Sequence, residues 1–332
     1  MKILRRENKG CRKLLALLLL LCMVVPAQRV SAKDSGSADW MGTLDDETKL
    51  SAISIPGTHD TCTQYVTLSY IFQCQDTSVA QQLQDGYRYF DLRLVVDEKD
   101  DKPALVIKHN FASCRTGKSP FSDKLYLEDV LSDVSAFLEK HPSETVILCM
   151  KAENGDDAIK DVQGLLYQQI EQNESRWYLE NAIPTLEEVR GKMVLATRFA
   201  DEIGVGATRR GLDFGWRDQG DRTVVDEPFV LSMINESEKL WVQDRYNYDT
   251  TDKVNAIVED MENCQASEDS FSLNFTSTSG SGKVGHPKKY ATSINKFLTE
   301  YDWQEDTCYG IIIVDFATEK LAKCIYNTNP RQ

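Results

Sequence analysis

Past its first 32 residues the chain has no apolar run long enough to cross a bilayer. It has no linker, low-complexity tract or internal repeat either, so residues 33–332 suit one large domain rather than a string of modules. Basic residues are scarce. Lys and Arg number 38 against 52 Asp and Glu, and residues 1–32 hold seven of the 38 and one of the 52, so residues 33–332 carry a net formal charge of −20. Nucleic acid and strongly anionic surfaces repel such a protein, and no nucleic-acid role is expected. Of the nine cysteines, Cys11 and Cys22 lie in the leader, and the seven that remain show no CxxC and no Cys/His spacing of the zinc-binding kind. That odd number leaves at least one thiol without an intramolecular partner. Cys149 falls in an apolar strand and is expected to be buried. Cys62 and Cys74 are near enough in sequence to bridge, with connectivity left open. Histidine is the scarcest catalytic residue type, with four copies: His59, His109, His141 and His286.

The leader has the form of an export signal. Lys2, Arg5, Arg6, Lys9, Arg12 and Lys13 precede an apolar run at 14–25, and Val30-Ser31-Ala32 offers small residues to a signal peptidase. The expectation is a signal peptide at 1–32, cleaved after Ala32, and a soluble, secreted, monomeric protein. An uncleaved anchor is the alternative.

The stretch 53–61, Ile-Ser-Ile-Pro-Gly-Thr-His-Asp-Thr, organises the remainder. Its apolar residues run into Pro-Gly, so a buried strand is expected to end in a tight turn that presents His59 and Asp60. Strand ends matter because α/β barrels carry their chemistry there. A second strand, 87–95, places Asp91 and Arg93 two apart and therefore on one face. A third, 104–108, ends in His109. Further strands at 145–150, 193–197, 240–243, 271–275 and 311–314 end at Lys151, Arg198, Asp244 with Tyr246, a Ser/Gly loop, and Asp315. Eight strands alternating with helices or long loops predict an α/β fold, a single distorted (β/α)8 TIM-type barrel.

Between strands, the charge run 97–102 reads as a solvated turn, 79–85 as a short helix stopped by Gly86, and 127–138 as an amphipathic helix ending at His141. Thr185-Leu186-Glu187-Glu188 is a capping box. Trp40-Met41 is expected to anchor the acidic N-terminal stretch. Residues 62–80 are rich in apolar side chains, including Tyr65, Leu68, Tyr70 and Phe72. They are read as a core-facing helix, with a rim element meeting a lipid substrate as the alternative. Three cations and four carboxylates converging around two histidines suit an anionic substrate such as a phosphodiester.

The run at 53–61, followed by Gln-Leu-x-x-Gly-x-Arg-x-x-Asp-x-Arg at 82–93, resembles the bacterial phosphatidylinositol-specific phospholipases C. The resemblance continues through Lys-His-Asn at 108–110, Pro-Ser-Glu-Thr at 142–145, Val-Gln-Asp-Arg-Tyr at 242–246, Leu-Asn-Phe-Thr-Ser at 273–277 and Ile-Val-Asp-Phe at 313–316. It implies a distorted barrel that cleaves phosphatidylinositol in membranes to diacylglycerol and inositol 1,2-cyclic phosphate, with glycosyl-phosphatidylinositol anchors left open as a second substrate. On the matching positions it implies His59 as general base oriented by Asp315, and His109 as general acid paired with Asp60. Arg93, beside Asp91, would offset charge on the phosphate, while Lys151, Arg198, Asp244 and Tyr246 would hold the inositol ring. No metal or cofactor is implied, and membrane contact would be transient. The sequence departs from the family at 280–289, which has Lys283, Lys288 and Lys289 but no Trp, Tyr or Phe, so interfacial binding would rest more on residues 65–72.

Two rival classes are weighed on the same residues. A metal-dependent glycerophosphodiesterase needs a carboxylate cluster where Arg93 stands. A non-enzymatic lipid or glycan binder has no need of both titratable histidines together with Asp315 and Arg93.

Overall fold

In the computed structural model, the residues described are 36–153, 158–220, 229–281 and 286–331. The expected signal peptide and its cleavage point lie outside them. Twelve strands and eight α-helices are assigned among the described residues. The strands are β1 (Ile55–Thr58), β2 (Tyr89–Lys99), β3 (Lys102–His109), β4 (Ala112–Ser113), β5 (Val146–Ala152), β6 (Trp177–Tyr178), β7 (Met193–Thr197), β8 (Leu212–Asp213), β9 (Val230–Met233), β10 (Lys239–Gln243), β11 (Ser270–Phe275) and β12 (Ile311–Val314). The helices are α1 (Ser69–Phe72), α2 (Val79–Gln84), α3 (Leu127–Lys140), α4 (Ile159–Glu171), α5 (Leu186–Val189), α6 (Thr250–Glu262), α7 (Pro287–Glu300) and α8 (Glu319–Tyr326).

Strands β10, β11, β12, β1, β2, β5, β7 and β8 pair in that order, all parallel, as a distorted TIM-type barrel. Among the described residues no ladder joins β8 to β10; the antiparallel β9 covers that edge of β10 instead. The strands are nearly continuous apolar runs because both faces are covered. Ile311, Ile312, Ile313 and Val314 of β12 are all fully buried.

Two expectations about this frame are corrected. The strand at 104–108 is not the third barrel strand: β3 runs antiparallel to β2, pairing Leu94 with Ile107 and Lys99 with Lys102. Only Asp100 and Asp101 of the charge run form the turn of this hairpin, both at positive φ; its other residues belong to β2 and β3. The eighth parallel strand is β8, two residues long and too short to show a pattern. The Pro-Gly pair is also inside β1 rather than beyond its end. Gly57 is required there by close approach, since a Cβ would lie 2.9 Å from Cδ1 of Tyr89 and 3.2 Å from Cγ1 of Ile313.

At the opposite end of the barrel, buried Arg88 donates to Glu144 and to the carbonyls of Leu83, Tyr87 and Ala38, clamping the N-terminal segment in place. Trp40 stacks on Tyr326 with ring centroids 5.1 Å apart and donates to the Gly86 carbonyl. Met41 is fully buried beside it. His141 caps α3, pairs with Asp39 at 2.7 Å and stacks on Phe137, well away from the barrel mouth. The capping box of Thr185 and Glu188 forms as read.

The core-facing helix expected at 62–80 does not form. Only the single turn α1 does, no residue of it is buried, and Leu68 and Tyr70 are 60% and 68% exposed. Leu68 at φ 53° cuts the segment off from the preceding 3-10 turn; Leu68 and Tyr70 face outward at the rim, while Val66 is buried and Phe72 packs against the core.

Candidate active site

The carboxyl ends of the parallel strands form the mouth, and the polar residues follow from their positions along the chain. His59 and Asp60 follow β1, Lys151 lies in β5 just before Glu153, Arg198 follows β7, Asp244 follows β10 and Asp315 follows β12. Asp91 and Arg93 sit in β2 two residues apart and do share a face, with Arg93 Nη2 3.4 Å from Asp91 Oδ2. The antiparallel return of β3 accounts for His109: the hairpin carries the chain outward along β2 and brings His109 back to the mouth at its end.

Asp60 is the hub. Its Oδ2 lies 3.1 Å from His59 Nε2 and 3.3 Å from His109 Nε2, and its Oδ1 lies 2.8 Å from Arg93 Nε. Its backbone is left-handed at φ 41°, uncommon for a residue with a side chain, and its N–H donates to Asp91 Oδ2. His59 Nδ1 is 2.8 Å from Asp315 Oδ1, and His109 Nδ1 is 2.9 Å from the Phe72 carbonyl. The two imidazole centroids are 6.2 Å apart.

His59 Nε2 thus faces an acceptor, Asp60, and also a donor, since Arg93 Nη2 is 3.0 Å away. The charged ring donates to Asp60; the neutral ring, keeping its proton on Nδ1, accepts from Arg93. The contacts serve the two protonation states in turn. Burial disfavours the cation and Arg93 opposes it, but the Asp60 and Asp315 carboxylates prevail and the ring is pushed up to about 9. For Asp91, burial alone would raise the carboxyl; Arg93 and Arg198, helped by His59, hold it far below the ordinary carboxylate range. For Arg93, burial is likewise outweighed, by Asp60, Asp91 and Glu153, so its charge is secure.

From Arg93 the network extends across the mouth. Glu153 lies 3.5 Å from Arg93 Nη1 and 3.3 Å from Lys151 Nζ. Arg198 is 3.7 Å from Asp91 and stacks 3.6 Å above the Trp216 ring, whose indole N–H is 3.4 Å from Asp244 Oδ2. Tyr246 stands apart from this chain, its hydroxyl 2.8 Å from Asp218 Oδ1. Burial first, then Asp218, pushes the phenol up to about 12.

The structure therefore brings His59, Asp60, Asp91, Arg93, His109, Lys151, Arg198, Asp244 and Asp315 into one continuous set. His286 lies outside it, at the start of α7 against the ring of Tyr70. Residues not singled out from the sequence also belong here. Trp216, brought by β8, supports Arg198. Gln75, fully buried, donates to the carbonyls of His59 and Val314 and accepts from the Ala317 N–H, tying the end of β1 to the end of β12. Asn295 of α7 donates to the Asp315 carbonyl. An isolated Gln in a loop carries no signal of such a role. All seven cysteines among the described residues are unbridged, Cys62 and Cys74 among them, and Cys149 is fully buried in β5.

Comparison with known proteins agrees with this fold. Residues 50–199 match the X domain of phosphatidylinositol-specific phospholipase C. The 1-phosphatidylinositol phosphodiesterase of Listeria monocytogenes is 28% identical over 305 residues, covering 87% of this chain and 84% of its own. That of Staphylococcus aureus is 28% identical over 329 residues, covering 93% and 94%. Among solved structures, the phosphatidylinositol-specific phospholipase C of Listeria monocytogenes superposes with a TM-score of 0.66 at 27% identity over 89% of this chain and 99% of the other. A Staphylococcus aureus phosphatidylinositol-specific phospholipase C shares the fold with a TM-score of 0.72 at 24% identity, over 89% and 98%. Residues 50–199 thus match the phosphatidylinositol-specific phospholipase C X domain, and most of the chain is similar to bacterial 1-phosphatidylinositol phosphodiesterases.

Proposed function

We propose that the protein cleaves phosphatidylinositol between glycerol and phosphate, releasing diacylglycerol and inositol 1,2-cyclic phosphate. The observation that carries this reading is the convergence of both imidazoles on one Asp60 oxygen, with Arg93 bound to the other. Attack by the inositol 2-hydroxyl on phosphorus needs one ring to accept a proton and another to donate one. His59 Nε2 takes the hydroxyl proton while Asp315 holds Nδ1. The bond from phosphorus to the glycerol oxygen breaks, and that oxygen takes a proton from His109 Nε2. Arg93 turns its guanidinium donors to the phosphoryl oxygens as their charge grows.

The high affinity of His59 for its proton fits this sequence. In the free protein Asp60 and Asp315 both hold the cation. A substrate that enters between His59 and Asp60 removes one of these carboxylates and leaves Asp60 to His109, lowering the affinity of His59 for its proton as the base is needed. Lys151, Arg198, Asp244 and Tyr246 are assigned to the inositol hydroxyls and ring face. The exposed Leu68, Tyr70, Phe111 and Phe121 would face the membrane, in transient contact. Export by cleavage after Ala32, a single domain over 33–332, a monomeric state and action on glycosyl-phosphatidylinositol anchors belong to the same proposal.

The test is phosphorus NMR of phosphatidylinositol vesicles incubated with the protein and a chelator. A five-membered cyclic phosphate resonance is the expected product. Activity abolished by chelator and restored by calcium would favour the metal-dependent class instead.

A further inference from the structure

We propose that the barrel mouth also binds one thiophilic divalent cation of the zinc class, through Cys74, Asp60 and His59, and that the bound ion shuts the site. One ligand atom from each of these residues lies within 4.8 Å of the other two. His59 Nε2 is 3.1 Å and Cys74 Sγ 4.0 Å from Asp60 Oδ2. Tetrahedral zinc, with bonds of about 2.0–2.3 Å, holds its ligand atoms about 3.3–3.6 Å apart, so the three close on an ion with sub-ångström shifts. His109 stands at the fourth corner, its Nε2 3.3 Å from the same Asp60 oxygen and its Nδ1 3.9 Å from the Cys74 sulfur.

The donor set also selects the ion. Thiolate, imidazole and carboxylate together favour zinc and its chemical neighbours. Calcium and magnesium want six or more oxygens, and a sulfur and a nitrogen are poor substitutes. Cys74 and Asp60 are buried, at 1% and 3% exposure, and are therefore already held in place. On binding, the Cys74 thiol and the His59 cation each release a proton to solvent, leaving thiolate and neutral imidazole on the metal. Arg93 Nη2 must leave His59 Nε2, and Asp91 and Glu153, 3.4 and 3.5 Å from the guanidinium, are placed to hold it. The ion then occupies the atoms that would move protons, so it is an inhibitor and not a cofactor. That consequence rests on the catalytic reading of His59; binding of the ion does not.

The experiment separates the two. Full-length protein freed of metal by chelation is titrated with cobalt(II), then zinc. The expected result is one equivalent of cobalt, with a near-ultraviolet sulfur-to-cobalt charge-transfer band that zinc displaces. Phosphatidylinositol cleavage should fall in step with zinc occupancy, return with chelator, and ignore calcium at equal concentration. C74S should lose the band and need at least ~10-fold more zinc for inhibition, the lower range for damage to a metal site. C62S, which removes a different buried thiol, should behave as the parent. A cobalt complex without the sulfur band, or equal zinc sensitivity in C74S, overturns the proposal; so does loss of binding in C62S equal to that in C74S. The cobalt spectrum needs no substitution and no substrate, so it decides the matter even for a protein that fails to cleave phosphatidylinositol.

Discussion

Replacing Asp315 by Asn keeps the shape of the side chain and removes its charge from His59 Nδ1, 2.8 Å away. Asp60 and Asp315 together overcome burial and lift the ring from 6.5 to about 9. At about 1.4 kcal/mol per pH unit, this favours the charged ring in the folded protein by about 3 kcal/mol. Losing Asp315, which supplies both a charge and a hydrogen bond, should lower the ring from about 9 toward its ordinary value and cost on the order of 1–3 kcal/mol. The pH dependence has a definite sign. A histidine whose folded-state proton affinity is raised stabilises the fold fully below pH 6.5, and that stabilisation is lost as pH rises through about 9. The stability gap between the parent and Asp315→Asn should therefore be widest at pH 6 and close by pH 10. Urea melts at both pH values read the gap, and nitrogen-15 NMR of the imidazoles reads the titration directly. Turnover should fall by ~10²-fold or more, because the base loses its orienting partner. A His59 ring that titrates at the same pH in both proteins would refute the pairing, and an equal gap at both pH values would assign the effect to packing.

His59→Ala and His109→Ala should each lose at least ~10²-fold in turnover with the fold retained, and the parent should show a bell-shaped pH–rate profile; near-parental turnover in either variant removes that residue from the reaction. Arg93→Lys should be poor without gaining calcium dependence, because one ammonium cannot supply two directed donors; parental kinetics would leave Arg93 a purely structural partner of Asp60 and Asp91. The double substitution of Leu68 and Tyr70 by Ser should weaken binding to phosphatidylinositol vesicles while sparing cleavage of a monomeric short-chain substrate, and unchanged vesicle sedimentation would count against the rim as a membrane contact. Gly57→Ala should cost about 1–3 kcal/mol in urea melts, because the added methyl group meets Tyr89 and Ile313 inside the barrel.

Much of this protein was legible in its sequence. Local order decided the strands around His59, Arg93, Lys151, Arg198, Asp244 and Asp315, because buried parallel strands are short apolar runs and the polar residue after each must stand at the barrel mouth. The amphipathic spacing of α3 and the capping box before α5 are likewise properties of a few neighbouring residues. Tertiary structure decided the rest. Whether 104–108 ran parallel or antiparallel depended on which strand lay beside it, and hydropathy does not encode direction. Strand β8 has two residues and exists because β7 offers it an edge. That no residue of α1 is buried depends on how the segment packs at the rim, which sequence periodicity cannot report. Gln75 became a tie between β1 and β12 through the carbonyls of His59 and Val314, 16 and 239 residues from it in sequence, and only closing the barrel brings both within reach of one amide. The same holds for Asp60, whose neighbours in the chain indicate a strand end, whereas its position between two imidazoles and a guanidinium follows from three separate strands meeting at one mouth.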